Sequence, residues 1–250
     1  MSEPVLLQAE AVTRAYTAEN RPALQSVSFS LQAGDFLVIT GPSGSGKSTL
    51  LNIAGGLDKP TNGQVRYHGD DLHALDESRL AELRNGAFGF VFQTPHLLMD
   101  RTVLENVALP FKYGREVDVA LVRERAIGLI NYVGLADMID RYPNTLSGGE
   151  MQRVVFARAL AREPDIVFAD EPTGSLDADN SQRLLELLKD QASRGRAVIM
   201  ATHDPEAMSY GSRHLRLNKF QPEATKEGRN PHAGEEEHAM GGHTIFTVML

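Results

Sequence analysis

A glycine-rich segment between two regular elements constrains this chain more than any other feature of its sequence. Residues 41–49 fit the pattern G-x-x-x-x-G-K-[ST]; they are Gly41, Pro42, Ser43, Gly44, Ser45, Gly46, Lys47, Ser48 and Thr49. The apolar run at residues 36–40 before them predicts a buried strand, and a helical pattern follows to about Ala54. Further strand-like and helix-like segments alternate along the chain, which predicts an α/β fold with a largely parallel sheet.

The physical chemistry of this phosphate loop, residues 41–49, is that of nucleoside triphosphate binding. Its glycines let the backbone turn tightly, so that successive N–H groups and the positive end of the next helix hold the β- and γ-phosphates. Lys47 adds a positive charge at the γ-phosphate, and the Ser48 hydroxyl is suited to ligate Mg²⁺. The alternative is a glycine turn with an incidental lysine. The loop alone does not choose among kinases, small GTPases, helicases and transport ATPases.

A second predicted strand, at residues 166–171, ends in two carboxylates. Asp170 and Glu171 would reach the ligand-binding edge of a parallel sheet. There Asp170 would hold Mg²⁺, directly or through water, and Glu171 would orient or polarise the attacking water. The alternative is an acidic helix cap at the end of a strand.

The signature segment, residues 146–150, predicts the start of another helix. Its members are Leu146, Ser147, Gly148, Gly149 and Glu150. Ser147 is a good N-cap, and we expect the helix to run to about Glu163, where Pro164 stops it. An exposed helix N-terminus with a serine predicts a second anion site. Two chains arranged head to tail would bring this site to the phosphate loop of the partner.

Other parts of the chain complete the predicted organisation. We expect further strands around Val27–Leu31, after the Asn62-Gly63 turn, and at residues 88–93 and 197–200. Residues 94–163 read as nearly all helix, which predicts an inserted helical subdomain. Periodicity is absent from residues 221–243, so we expect residues 1–220 to form one domain and residues 221–250 a flexible tail.

Composition excludes several functions. The 250-residue chain has no cysteine, so disulfides and thiolate sites are absent, and no apolar run approaches the length of a membrane span. Its start lacks the features of a secretory signal, so we expect a cytoplasmic protein. The net charge of −8 disfavours nucleic acid as a partner.

Taken in order, these motifs resemble the ATP-binding-cassette (ABC) ATPases over about residues 5–217. The resemblance implies a RecA-like P-loop NTPase core with a mainly parallel sheet, an antiparallel β subdomain and an inserted α-helical subdomain. It also implies ATP and Mg²⁺ as ligands, hydrolysis of ATP, and a homodimer in the ATP-bound state. The other positions that match the family's site are Tyr16, Gln93, Ser175, Leu176, Asp177 and His203.

The resemblance gives each of these positions a role. Tyr16 stacks on adenine, and Gln93 touches Mg²⁺ and senses the transport partner. The dimer loop, residues 175–177, crosses the interface, and His203 contacts the γ-phosphate beside Glu171. The alternatives are a packed strand residue for Tyr16, an ordinary polar strand end for Gln93 and a satisfied histidine for His203. Glu150 departs from the commoner glutamine and brings a negative charge near the phosphate site.

Three stretches, residues 51–58, 89–93 and 105–110, resemble one branch of the family, the ATPases of lipoprotein release and macrolide or peptide export. This implies a location on the inner face of the membrane and a partner permease with a periplasmic domain. A short helix of that permease would dock beside Gln93, against Leu97, Leu98 and Met99. The alternative is that these three side chains belong to the core of the helical subdomain.

Four other functions compete with this interpretation. They are an ABC ATPase that acts with a cell-division membrane protein, a soluble non-transport ABC ATPase, a regulatory module without turnover, and a P-loop kinase. The acidic chain lacks a long coiled-coil insertion, and neither of the last two functions uses all of the motifs. In the tail, His232, residues 235–238 and His243 form either a loose metal site or, as we expect, a solvated charge run.

Overall fold

The computed structural model describes residues 4–16, 22–113 and 118–219; the predictions for the tail at residues 221–250 lie outside these ranges. The strands in the described ranges are β1 Val5–Arg14, β2 Leu24–Gln32, β3 Phe36–Thr40, β4 Asn62–Tyr67, β5 Asp70–Asp71, β6 Phe88–Phe92, β7 Ile166–Asp170, β8 Ala197–Ala201 and β9 Arg213–Arg216. The α-helices there are α1 Lys47–Ala54, α2 Glu77–Gly86, α3 Val103–Val107, α4 Val119–Tyr132, α5 Gly148–Ala159, α6 Ala178–Ser193 and α7 Pro205–Met208. None of the helices in this part of the chain is both long and apolar enough to cross a membrane.

The strands form two sheets. Five of them pair in parallel in the order β6-β7-β8-β3-β9, and four pair antiparallel in the order β2-β1-β4-β5. The predicted α/β class, with a mainly parallel sheet and a separate antiparallel unit, is confirmed. Because parallel strands end at the same edge, the segments after β3, β6, β7 and β8 come together there.

The parallel sheet is buried on both faces, which explains its apolar runs. Along β3, Phe36 and Val38 belong to one core cluster, whereas Leu37 and Ile39 belong to the other. The first cluster contains residues of α3 to α6. The second contains residues of α1 and of the antiparallel sheet. The sheet is therefore rigidly held, and the side chains at its carboxyl edge have a fixed frame.

Residues 94–163 contain less helix than predicted. The helices α3, α4 and α5 pack on one another, but residues 93–101 form an irregular loop. The buried Asn106 explains the loop, because its amide donates to the carbonyl groups of Leu98 and Arg101 at 3.0 and 3.1 Å and its Oδ1 accepts from the Leu98 N–H at 2.8 Å. A side chain here satisfies backbone groups that a helix would otherwise pair.

Two predicted boundaries were wrong. Helix α5 ends at Ala159 rather than at about Glu163, since the following N–H groups bond three residues back and Glu163 takes a left-handed φ of 54°. Pro164 restricts only Glu163, so the earlier end follows from the tighter turns over residues 160–163. The pair Asn62-Gly63 lies inside β4 rather than in a turn before it.

Strand β1 and helix α2 are among the elements that the sequence analysis did not predict, together with β5, β9 and α7. Strand β1 lies in the middle of the antiparallel sheet, but its alternation is broken by a register shift near Ala11, where φ is 47°. Helix α2 is mostly polar and buries only Leu80 fully, so its apolar periodicity is weak.

Candidate functional site

The phosphate loop connects β3 to α1 at the carboxyl edge of the parallel sheet. Gly46 is the N-cap of α1 and has a left-handed φ of 94°. A Cβ atom on this residue would lie 2.5 Å from the carbonyl oxygen of Ala23, so only glycine fits. The loop therefore turns directly into the first helical N–H groups, as an anion site requires.

Two polar groups inside the loop are poised for an anionic ligand. The Lys47 ammonium is buried, donates to the carbonyl oxygen of Gly41 at 3.0 Å and lies 3.7 Å from Glu171 Oε1. The Ser45 hydroxyl is buried and has no hydrogen-bond partner among the described residues. Buried polar groups are normally paired, so this hydroxyl fits a site that holds phosphate oxygens.

Two of the three residues predicted to hold Mg²⁺, Ser48 and Asp170, are in direct contact. The Ser48 hydroxyl donates to Asp170 Oδ1 at 3.0 Å. Burial raises the pKa of Asp170, and the charge of Glu171 raises it further, while Ser48 and Lys47 act in the opposite direction. A divalent cation would relieve this crowding of buried negative charge.

The donor set suits magnesium rather than a softer metal. Gln93 follows β6 and lies against Gly174, where a Cβ atom would come within 2.8 Å of Gln93 Nε2. Hydroxyl, carboxylate and amide oxygens are ligands that Mg²⁺ takes together with substrate phosphates. Among the described residues, no group of three or more His, Cys, Asp and Glu side chains is arranged to hold a metal ion.

Glu171 and His203 form a hydrogen-bonded pair at the ends of β7 and β8. The Glu171 backbone has a left-handed φ of 46°, and its N–H donates to the carbonyl oxygen of Ala201 at 2.9 Å. This turn takes the carboxylate to His203, whose Nδ1 lies 2.8 Å from Glu171 Oε2. Strain of this kind persists only where neighbouring structure enforces it, and it is common at reactive sites.

Tyr16 lies outside the core, unlike the packed strand residue that was its alternative. Tyr16 is 59% exposed and lies two residues after the end of β1. Two side chains that the sequence analysis did not single out touch it: Asp58 accepts from the Tyr16 hydroxyl at 2.9 Å, and the Arg14 guanidinium lies 4.6 Å from the ring centroid. The sequence offers little sign of these contacts. Arg14 lies two residues before the tyrosine, and Asp58 lies soon after α1.

The signature segment forms the N-terminus of α5, as predicted. Ser147 is the N-cap, and its hydroxyl accepts from the N–H of Glu150 at 3.3 Å. Glu150 returns the contact by accepting from the Ser147 N–H at 2.7 Å, which lowers the pKa of Glu150. The carboxylate at position 150 is thus part of a capping box, as a glutamine there would also allow.

The signature segment is tied to the dimer loop by one asparagine. Asn180 accepts from Arg153 at 2.7 Å and donates through Nδ2 to Asp177 at 2.9 Å. Gly149 of α5 lies directly against the Asn180 side chain. Ser175 is exposed, Leu176 is half-buried, and Asp177 caps α6. Within the described ranges, no hydrogen bond or ion pair joins the signature segment or the dimer loop to the residues at the carboxyl edge of the sheet in the same chain, which are Lys47, Ser48, Asp170, Glu171 and His203.

The loop after Gln93 is anchored from beneath. Arg158 of α5 donates to the carbonyl groups of Pro95 and His96 at 3.2 and 3.0 Å. Leu97 is buried in the core, whereas Leu98 and Met99 are 41% and 60% exposed. Leu97 therefore fits the interpretation as core, whereas the exposed side chains of Leu98 and Met99 fit the interpretation as a docking surface.

Comparison with known proteins assigns this arrangement to a family. The sequence model of the family described as "ABC transporter" matches residues 24–174, which is more than half of the chain. The chain belongs to the ABC transporter family. It is an ATP-binding subunit of that family, and the resemblance seen in its motifs is confirmed.

Relatives and solved structures agree with this assignment. The chain is 42% identical to the lipoprotein-releasing system ATP-binding protein LolD of Psychrobacter arcticus, over 85% of this chain and 95% of LolD. It is also 42% identical to the macrolide export ATP-binding/permease protein MacB of Marinobacter nauticus, over 87% of this chain. That alignment spans only 34% of MacB, so the chain corresponds to about a third of that ABC protein.

The solved structure of the dimeric ABC cassette MJ0796, in a post-hydrolysis state with ADP and Pi, supports the fold. It matches with a TM-score of 0.79 and 38% identity, over 89% of this chain and all of that one. The predicted P-loop NTPase fold of an ABC cassette is therefore confirmed.

Proposed function

We propose that this chain hydrolyses ATP as one half of a head-to-tail dimer and drives a permease in the membrane. The observation that carries the proposal is the convergence of Lys47, Ser48, Asp170, Glu171 and His203 at one edge of the parallel sheet. We further propose that residues 1–220 form the ATPase domain, that residues 94–163 are its inserted helical subdomain, and that residues 221–250 are a separate tail.

The phosphate loop binds the triphosphate of ATP. Its N–H groups and the N-terminus of α1 receive the phosphate oxygens, and the buried Lys47 ammonium turns from Gly41 to the γ-phosphate. The ring of Tyr16 stacks on adenine. Ser48, Asp170 and Gln93 hold Mg²⁺, which neutralises phosphate charge when it is bound.

Hydrolysis depends on the pair at the ends of β7 and β8. Glu171 accepts a hydrogen bond from water and orients it in line with the γ-phosphate. His203, whose Nδ1 lies 2.8 Å from Glu171 Oε2, holds that carboxylate and contacts the γ-phosphate. The rigid turn at Glu171 fixes this geometry before the substrate arrives, so that little reorganisation is needed during the reaction.

The second half of the site comes from a second chain. The N-terminus of α5, with Ser147, Gly148 and Gly149, presents N–H groups to the γ-phosphate that the partner holds. The dimer loop crosses the interface beside it, since Asn180 ties the two segments together. The dimeric state of the MJ0796 cassette supports this assembly.

The membrane partner is a permease with a periplasmic domain, so the chain works at the inner face of the membrane. Leu98 and Met99 lie exposed beside the Gln93 loop and supply the apolar contacts for a short helix of that partner. MacB is named as both an ATP-binding and a permease protein, and this chain corresponds to about a third of it. The names of the relatives suggest lipoprotein release or macrolide export as the transport process, and the resemblance in sequence adds peptide export.

Two variants test the ATPase chemistry. Glu171→Gln should retain ATP binding and lose about 100-fold or more of the hydrolysis rate, because only the orientation of water is removed. Lys47→Ala should weaken ATP binding itself. Nucleotide affinity and phosphate release are measured for both variants, and hydrolysis by Glu171→Gln at the unchanged rate would contradict the catalytic role.

A capture experiment tests the partner. Tagged Glu171→Gln protein is expressed in its own host, extracted with mild detergent in ATP and Mg²⁺, and its associated proteins are identified. We expect a permease with few spanning helices and a large periplasmic domain, and less of it with Leu98→Ser and Met99→Ser combined. Recovery of a cell-division membrane protein would favour the alternative of an ABC ATPase that acts in cell division. Recovery of only ribosomes, DNA or soluble proteins would overturn the transport function.

A further inference from the structure

The carboxylate of Asp58 lies at the centre of a small polar cluster beside Tyr16. Asp58 Oδ1 accepts from Arg14 Nη2 at 2.7 Å and from the N–H of Lys59 at 2.7 Å. Asp58 Oδ2 accepts from the Tyr16 hydroxyl at 2.9 Å. Both oxygens are therefore engaged, and the tyrosine hydroxyl is held by a charged acceptor, which is stronger than a neutral one.

Arg14 holds the same ring in a second way. Its guanidinium carbon lies 4.6 Å from the Tyr16 ring centroid, within the range of a cation–π contact. The side chains of Arg14 and Asp58 are only 23% and 22% exposed, whereas Tyr16 is 59% exposed. The ring is thus fixed at its hydroxyl and over one face while much of its surface stays accessible.

Asp58 connects this ring to the phosphate loop. It lies four residues after the end of α1, and the N–H groups of Leu57 and Asp58 both donate to the carbonyl oxygen of Asn52 in that helix. Helix α1 begins at Lys47 of the phosphate loop. Arg14, in contrast, is the last residue of β1 in the antiparallel sheet. The ion pair between Arg14 and Asp58 therefore sets the position of the ring relative to the phosphate site.

We infer that Asp58 and Arg14 are positioning residues that hold Tyr16 as a preformed platform for the base of ATP. The inference rests on the proposed function, in which Tyr16 stacks on adenine. A tyrosine at the end of a strand that is not anchored would lose rotamer freedom when it binds the base, and this entropic cost would weaken affinity. The hydrogen bond to Asp58 and the contact with the Arg14 guanidinium restrict the ring before ATP binds, so this entropic cost of binding is smaller, as in other preorganised sites.

Binding measurements with two probes separate this role from a purely structural one. ATP carries the base, whereas inorganic tripolyphosphate carries only the phosphate chain. Tyr16→Phe removes only the exposed hydroxyl, and Asp58→Ala removes the carboxylate; Asp140→Ala, an exposed aspartate outside the cluster, is the matched control. Affinities are measured by titration calorimetry without added Mg²⁺, so that ATP is not consumed.

We expect Tyr16→Phe and Asp58→Ala to bind ATP about threefold to tenfold more weakly, the range set by one hydrogen bond. Both should bind tripolyphosphate within about twofold of the unmodified protein, because the phosphate loop is unchanged. In the double variant, the loss of ATP affinity should be smaller than the product of the two single losses, since both changes break the same contact.

Other outcomes overturn the inference in distinguishable ways. Equal losses for ATP and tripolyphosphate would mean that Asp58 only supports the fold, and unchanged ATP affinity in Tyr16→Phe would mean that the hydroxyl positions nothing. Unchanged ATP affinity in Tyr16→Ala would mean that the ring is not a platform for the base, although the protein still binds ATP. If the unmodified protein bound neither probe, the proposed function would fail together with the inference. Tyr16→Phe keeps the test decisive if Asp58→Ala does not fold, since it changes one exposed atom.

Discussion

Two adjacent glycines of the signature segment should respond in opposite ways to the same substitution. A Cβ atom on Gly148 would meet nothing within 4 Å, whereas one on Gly149 would lie 2.7 Å from Asn180 Nδ2 and closer still to Cγ and Oδ1 of that side chain. Gly149→Ala must therefore push Asn180 away from its position. Gly148→Ala changes the same helical turn without this contact and serves as the matched control.

The structure gives the size of the difference. Displacing Asn180 breaks its hydrogen bond with the guanidinium of Arg153, a side chain that is only 8% exposed. A hydrogen bond to a charged group contributes about 1.5–3 kcal/mol. The gain from replacing glycine by alanine in a helix is similar at both positions and cancels in the comparison. We therefore expect Gly149→Ala to be about 1.5–3 kcal/mol less stable than Gly148→Ala.

Urea unfolding of the nucleotide-free protein, followed by circular dichroism, measures this difference. Adding Asn180→Ala to Gly149→Ala removes the obstructing side chain, so the double variant should be no less stable than Asn180→Ala alone. Equal unfolding midpoints for the two glycine variants would refute the reasoning. So would fully additive losses in the double variant.

Three further predictions concern stability. Asp170→Asn should raise the melting temperature of the nucleotide-free protein at neutral pH, because the raised pKa of Asp170 means that ionising this carboxyl costs more in the folded state than in the unfolded chain. The gain in melting temperature should shrink as the pH falls toward the ordinary pKa of aspartate. A gain that does not depend on pH would contradict this cause. Ser147→Ala removes the N-cap of α5 and should cost about 1 kcal/mol in urea unfolding, a loss that Ser147→Thr should largely avoid. Tyr132→Phe removes the hydroxyl that joins Asp190 to the buried Gln191 and should cost about 1–2 kcal/mol; no loss would mean that water replaces this contact.

Much of the fold and of the candidate site is written in local sequence patterns. The alternation of strand-like and helix-like segments predicted the parallel sheet. The order strand, glycine loop and helix around Lys47 predicted the phosphate loop, because glycines permit a tight turn from a buried strand into a helix. The predicted N-cap Ser147 likewise marks a true helix start. Such signals act over a few residues and can be read without knowing the rest of the chain.

Other features depended on contacts between distant parts of the chain. The register shift in β1 hid that strand, which pairs with the distant strand β4. The predicted helix before α3 failed for a more local reason, since the Asn106 amide satisfies backbone groups five to eight residues before it. The partners of Tyr16 were equally hidden, because Asp58 is 42 residues away from it in sequence.

The sequence by itself therefore determined the family, the α/β class and several residues at the carboxyl edge of the parallel sheet, since these follow from short motifs with fixed backbone requirements. Only the tertiary structure decided how those residues are held. It paired Glu171 with His203, locked Gly149 against Asn180 and fixed Tyr16 through Asp58 and Arg14. The physical reason is that hydrogen bonds and close packing depend on distances in space, which separation along the chain does not specify.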